Sequence, residues 1–276
     1  MRIPSTDNIE INLHDLGGEG QPLLFAHATG FHGRVWEPLA AQLEGYHRWS
    51  VDLRAHGDSE APAHRPLEWP GFADDILAVV DALALERPFG VGHSKGAAAL
   101  LLAEQARPGT FRALYLYEPV VVPTDFVTGH NAENPLSVGA RRRRDTFGSS
   151  EEAIEHYASK PPLNSLHPEV LRLYVDHGFS QTIDGSISLK CLPANEAEIY
   201  AHGMAHHAFA ALNEVHCPVT ISLGIEDAVP AMFGRAIAAA LPHGTVASFP
   251  TLSHFGPLED PLLVADSVRS AFSTTN

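Results

Sequence analysis

Short apolar runs alternate with stretches of helical periodicity through most of this chain, and that alternation leaves few folds open to it. Residues 22–26, 49–53, 89–92 and 113–117 read as strands in the first half, and residues 219–223 and 246–249 resume the pattern near the end. Between them Val35, Trp36, Leu39, Ala40 and Leu43 recur at helical spacing. Ile76, Val79, Val80 and Leu83 make one apolar face of a helix over 72–83, and residues 97–106 read as a helix of alanines and leucines. Further helices are predicted from about residue 231 and from about residue 261. Strands apolar at nearly every position are buried on both faces, so the alternation predicts an α/β fold, a mostly parallel sheet flanked by helices.

The alternation stops at residues 122–215, where the sequence turns helical and polar. The simplest reading is a helical cap inserted into a core built from residues 1–121 and 216–276. Phe126, Phe147, Tyr157, Leu171, Tyr174 and Phe179 would give that cap an apolar underside, and Arg141 to Arg144 would form a solvated face.

At 276 residues the chain can bury one large core, and its formal charge of -15 argues against nucleic acid as a partner. Cys191 and Cys217 are too few for a disulfide framework and lack the spacing of a zinc site. The first residues show no basic stretch leading into an apolar one, and no apolar run is long enough to span a bilayer. A cytoplasmic protein without membrane insertion is therefore expected, acting on a small molecule.

Gly92-His93-Ser94-Lys95-Gly96 lies between a predicted strand and a predicted helix. A tight turn at that place lifts a serine hydroxyl clear of the sheet, and the flanking glycines permit the turn. A nucleophilic serine needs a base, and the base needs a carboxylate to fix its tautomer. His254 follows the last strand and precedes the last helix, which suits the base; His243 lies before that strand. Asp227, just after the strand at 219–223, suits the acid, with Glu226 and Glu118 as rivals. The oxyanion donors are then the backbone amides of Lys95 and of Thr29 in the loop after the first buried strand, with Gly30 and Ala28 as neighbours able to replace Thr29.

The loop at His27, the segment from Asp52 to Ser59, the serine pentapeptide, Asp227 and Ser253-His254 follow one another as in the α/β-hydrolase superfamily, which the chain resembles over its core. The resemblance implies an eight-stranded sheet, a helical cap after the sixth strand, the catalytic residues Ser94, Asp227 and His254, and hydrolysis without a cofactor. Ala28, Ala55 and Ala97 stand where family members often have glycine, and Lys95 where they carry an apolar residue. A cation in the first turn of a helix opposes the helix dipole. Lys95 therefore reads either as a reader of anionic substrates or as a side chain directed to solvent or a surface acid. The segment from Asp52 to Ser59 reads as structural.

These features favour a serine hydrolase that forms an acyl-enzyme with a small, largely apolar ester, thioester or lactone. Carbon-carbon bond hydrolysis and cofactor-free perhydrolysis use the same triad and remain as alternatives, and a non-catalytic ligand-binding protein is the alternative of another class. Serine at position 94 speaks against chemistry that needs aspartate there. His202 and His206 have the i, i+4 spacing of a metal pair, but without an H-E-x-x-H pattern no metal is expected.

Overall fold

The computed structural model describes residues 1–63, 66–126, 129–225 and 229–273, without the side chains of 229–231. The strands are β1 (Arg2–Pro4), β2 (Glu10–Asp15), β3 (Gln21–Ala26), β4 (Tyr46–Asp52), β5 (Phe89–His93), β6 (Ala113–Tyr117), β7 (Thr146–Phe147), β8 (Phe179–Gln181), β9 (Ile187–Leu189), β10 (Val219–Leu223) and β11 (Gly244–Ser248). The α-helices are α1 (Glu37–Ala40), α2 (Trp69–Ala82), α3 (Lys95–Ala106), α4 (Pro135–Arg141), α5 (Ser150–Ala158), α6 (Pro168–Gly178), α7 (Pro193–Ala201), α8 (Val229–Ala240), α9 (Gly256–Glu259) and α10 (Pro261–Ser273).

The main sheet has eight strands in the order β1-β2-β4-β3-β5-β6-β10-β11. It is parallel from β4 to β11, while β1 and β2 are antiparallel additions at one edge. The mostly parallel sheet flanked by helices is what the alternation predicts, and the eight-stranded α/β-hydrolase fold is what the resemblance implies. Sequence reasoning missed β1 and β2, although Ile9, Ile11 and Leu13 alternate with polar residues and are buried, which is the period-2 signal of a half-buried strand.

Each central strand sends alternate side chains to opposite faces, and two apolar clusters result. Leu24, Ala26, Leu114, Leu116, Ile221 and Leu223 pack on one face with Phe72, Ile76 and Val79 of α2 and Leu100 of α3. Leu23, Phe25, Phe89, Val91, Tyr115 and Tyr117 pack on the other with Leu39, Val268 and Phe272. Gly90 and Gly92 let α3 lie directly on β5: a Cβ at Gly92 would fall 2.6 Å from Ala97 Cα.

From β3 the chain moves outward to β4, then crosses back over β3 to β5. The sheet therefore has its topological switch point between β3 and β5, where open α/β sheets leave a crevice at the carboxyl ends of the strands. The loop after β3 and the turn containing Ser94 both open there.

Between β6 and β10 the chain forms α4 to α7 and, unforeseen from the sequence, a small antiparallel sheet ordered β7-β9-β8. Strands of two or three residues are too short to show a period. Tyr157, Tyr174, Phe147 and Phe179 are buried in the second cluster, so these aromatics hold the inserted segment to itself and to the core. Phe126 instead is half exposed and touches Phe233, 5.6 Å between ring centres. Among the described residues no helix is long and apolar enough to cross a membrane.

Candidate active site

Ser94 sits at the β5–α3 junction with φ 55° and ψ -116°, a conformation that L residues rarely adopt. The surrounding packing imposes it. Ser94 N–H donates to Tyr117 O at 2.9 Å, and its own carbonyl accepts from Ala98 and Val120. A Cβ at Gly96 would lie 2.2 Å from Ala26 O and 2.6 Å from His27 O, so only glycine lets the helix start this close to β3.

His254 lies beside this turn. His93 Nε2 donates to His254 O at 2.6 Å, and the two imidazoles are 5.0 Å apart. The loop carrying His254 is pinned on both sides: Tyr117 OH donates to Ser253 O at 2.8 Å, and Ser253 donates through N and Oγ to Glu259. A Cβ at Gly256 would meet Tyr117 OH at 2.1 Å, which is why the turn needs glycine.

Among the described residues, the carboxylate that meets His254 is Glu118. Its Oε2 accepts from His254 Nδ1 at 2.6 Å, and its Oε1 accepts from Gly224 N–H at 2.8 Å. Glu118 is buried and takes φ 43° just after β6. Asp227, chosen from the sequence, and Glu226 lie outside the described residues. Both Glu118 and Asp227 follow a parallel strand of this sheet, so chain order and loop position could not separate them.

The loop after β3 is rigidly held. His27 Nδ1 faces Ala28 O and its Nε2 accepts from Leu53 N–H; His56 Nδ1 faces Arg54 O and its Nε2 accepts from Gly30 N–H at 3.1 Å. Both rings are therefore neutral with the proton on Nδ1, and burial lowers both pKa values well below the usual range. Phe31 N–H bonds Ala28 O. With the Gly30 and Phe31 amides engaged, the Thr29 amide and the Lys95 amide are backbone donors near Ser94 that meet no acceptor among the described residues.

Asp52 anchors the neighbouring segment. It accepts from Gly33 and Asp58 N–H, Asn12 Nδ2 and His14 Nε2, and against the cost of burial His14, with His32 and the Asp58 amide, holds its carboxyl far below the usual range. The Asp52 to Ser59 stretch thus carries hydrogen bonds that shape the loop.

Lys95 is not directed to solvent or to a surface acid. It is fully buried, with Nζ 3.4 Å from both ring nitrogens of His56 and 4.4 Å from the Phe72 ring centre. Because both His56 nitrogens are already used, the amine lies on the imidazole face. Burial lowers its pKa to about 7.

In the basic run Arg141, Arg142 and Arg144 are exposed as expected, and Arg143 alone departs. Arg143 is turned inward, with Nη1 2.5 Å from Glu196 Oε2 and Nη2 donating to Tyr174 OH at 2.7 Å and Tyr157 OH at 3.2 Å. The pair abuts the loop after β3: a Cβ on Gly30 would meet Glu196 Oε1 at 2.8 Å and Arg143 Nη1 at 3.5 Å. Of the histidine group, His206 stacks on Trp69 and bonds Val120 O rather than pairing with His202.

Residues 23–267 match the model of the alpha/beta hydrolase family, and the chain belongs to that family. It is accordingly a hydrolase. It is 29% identical to 2-(acetamidomethylene)succinate hydrolase of Mesorhizobium japonicum over 222 residues, 78% of this chain and 74% of that one. It is 22% identical to (E)-2-((N-methylformamido)methylene)succinate hydrolase of Acinetobacter baylyi over 260 residues, covering 94% and 92% of the two chains. The crystal structure of E-2-(acetamidomethylene)succinate hydrolase superposes with a TM-score of 0.84 at 22% identity, covering 99% of this chain and 98% of that one, a likeness of fold.

Proposed function

We propose that the protein is a serine hydrolase in which Ser94 is the nucleophile, His254 the general base and Glu118 the carboxylate that orients His254. The hydrogen bond between His254 Nδ1 and Glu118 Oε2, beside a serine in a strained turn, is the observation that carries this reading. Glu118 takes the role that the sequence suggested for Asp227.

In this mechanism His254 Nε2 accepts the Ser94 hydroxyl proton as the oxygen attacks the substrate carbonyl. Glu118 stabilises the imidazolium that forms. The Thr29 and Lys95 amides receive the oxyanion. His254 then returns the proton to the leaving group, and a water molecule activated by the same imidazole releases the acyl group from Ser94. Residues 122–215 act as the cap over this site, and the substrate is a small ester, thioester or lactone.

Two relatives bear the names of hydrolases of substituted succinates. Together with the partly buried Arg143 guanidinium beside Gly30, this supports a second reading, a substrate that carries carboxylates next to the scissile acyl group.

The test is a comparison of p-nitrophenyl esters of increasing acyl length with 2-(acetamidomethylene)succinate, using wild type, Ser94→Ala and His254→Ala. Loss of activity by several orders of magnitude in both variants supports the serine mechanism, and the preferred substrate chooses between the readings. A wild type inert to every substrate and unlabelled by a fluorophosphonate would refute the mechanism.

A further inference from the structure

The inserted segment holds a second group of chemistry-bearing side chains to which the serine site contributes no donor. Glu198 on α7 and His202 just past its end stand four residues apart, and His202 Nε2 lies 3.0 Å from Glu198 Oε1. His130, from the stretch between β6 and α4, brings its Nε2 to 3.8 Å from the other oxygen, Glu198 Oε2. The two imidazoles are 4.5 Å apart at 60°, and the three donor atoms all lie within 4.8 Å of one another.

We propose that His130, Glu198 and His202 form a binding site for a divalent cation of the zinc type. Zinc takes imidazole nitrogen and carboxylate oxygen at about 2.0–2.2 Å in tetrahedral geometry, which sets neighbouring donors about 3.4 Å apart. Glu198 meets the two imidazoles with different oxygens, at 3.0 and 3.8 Å, and with one donor atom per residue the three lie within 4.8 Å of one another, so side-chain rotations that bring one carboxylate oxygen and both ring nitrogens to that spacing close the site. Two nitrogens and one oxygen favour zinc and its neighbours over magnesium or calcium, which prefer all-oxygen sets.

The backbone holds these donors in place. Asn131 N–H donates to Ala201 O at 2.8 Å, and Asn134 Nδ2 donates to Tyr200 O at 3.2 Å, so the stretch bearing His130 is tied to the end of α7. His202 is nearly buried whereas His130 and Glu198 are open to solvent, which gives an ion an entry path and room for a water as fourth ligand. The sequence concealed this triplet, because His130 lies far along the chain from the other two.

The test is titration of the chelator-treated full chain with Zn2+ by calorimetry, alongside Co2+ followed by its visible absorption. The expected result is one saturable ion per chain, bound about tenfold or more weakly in His130→Ala and in Glu198→Gln, with His207→Ala unchanged as a control. His130 is exposed, so its loss leaves packing intact, and circular dichroism verifies folding of each variant. A zinc-induced rise in Tm in wild type that vanishes in His130→Ala is the second expected signature. Absence of saturable binding, or binding equally strong in His130→Ala, or an equal loss in His207→Ala, would overturn the proposal.

Discussion

Glu118 has both carboxylate oxygens engaged, one by His254 and one by the Gly224 amide. Glu118→Gln keeps the volume but offers His254 an amide that no longer selects its tautomer or stabilises the imidazolium. Its kcat is expected to fall about 10^3- to 10^4-fold, the scale seen when a triad acid is lost elsewhere. Asp227→Asn, in contrast, should stay within a few-fold of wild type, and ester kinetics on both variants would reveal the reverse assignment at once. Lys95 titrates near pH 7 when folded and near 10.5 when free, so the unfolded chain binds the extra proton between those values. Stability contributed at this site therefore rises with pH from about 7 to about 10.5. Lys95→Met should be more stable than wild type at pH 7, and denaturant midpoints measured across that range should lose part of their upward slope.

At the scale of elements, β3, β5 and α3 form one unit whose close approach depends on Gly96. Gly96→Ala drives a methyl into the Ala26 and His27 carbonyls and forces α3 away from β3. Ser94 and the Thr29 loop then separate, and since a displacement of about 1 Å can cost about 100-fold, kcat/KM should drop at least that far together with Tm. Folded protein of normal activity would show that the helix can start elsewhere. The contact between α7 and the Gly30 loop rests on the Arg143–Glu196 pair, with side chains 19% and 8% exposed. Glu196→Gln leaves the guanidinium uncompensated, and a loss of about 3–5 kcal/mol in unfolding free energy is expected, with Arg143→Met in the same chain recovering part of it.

For the whole molecule, histidine burial sets the acid limit of stability. His27, His32, His56, His93 and His206 all have pKa values lowered by burial, His32 and His206 to about 4. Each is neutral in the fold while its unfolded counterpart protonates near pH 6.5, so each subtracts up to about 1.4 kcal/mol per pH unit as pH falls from 6.5 towards 4. Thermal unfolding followed from pH 8 to 4 should show Tm falling steeply below 6.5. A flat profile would mean that these rings are already charged in the folded protein.

The sequence by itself determined what local chemistry decides. Apolar runs long enough for strands gave the parallel sheet, and glycines flanking a serine between strand and helix gave the turn at Ser94. Position after the last strand separated His254 from His243. Tertiary structure decided what depends on which strand lies beside which. Glu118 and Asp227 each follow a parallel strand, and the approach of the β6 end to the His254 loop brought Glu118 to the imidazole. Arg143 read as a surface cation, and solvent was one of two readings of Lys95, because charge predicts solvation, whereas an imidazole face beside Lys95 and a carboxylate with two phenols around Arg143 made their withdrawal from solvent tolerable. His130 met Glu198 and His202 only because the chain folds back after β6, a separation along the sequence that no periodicity can register.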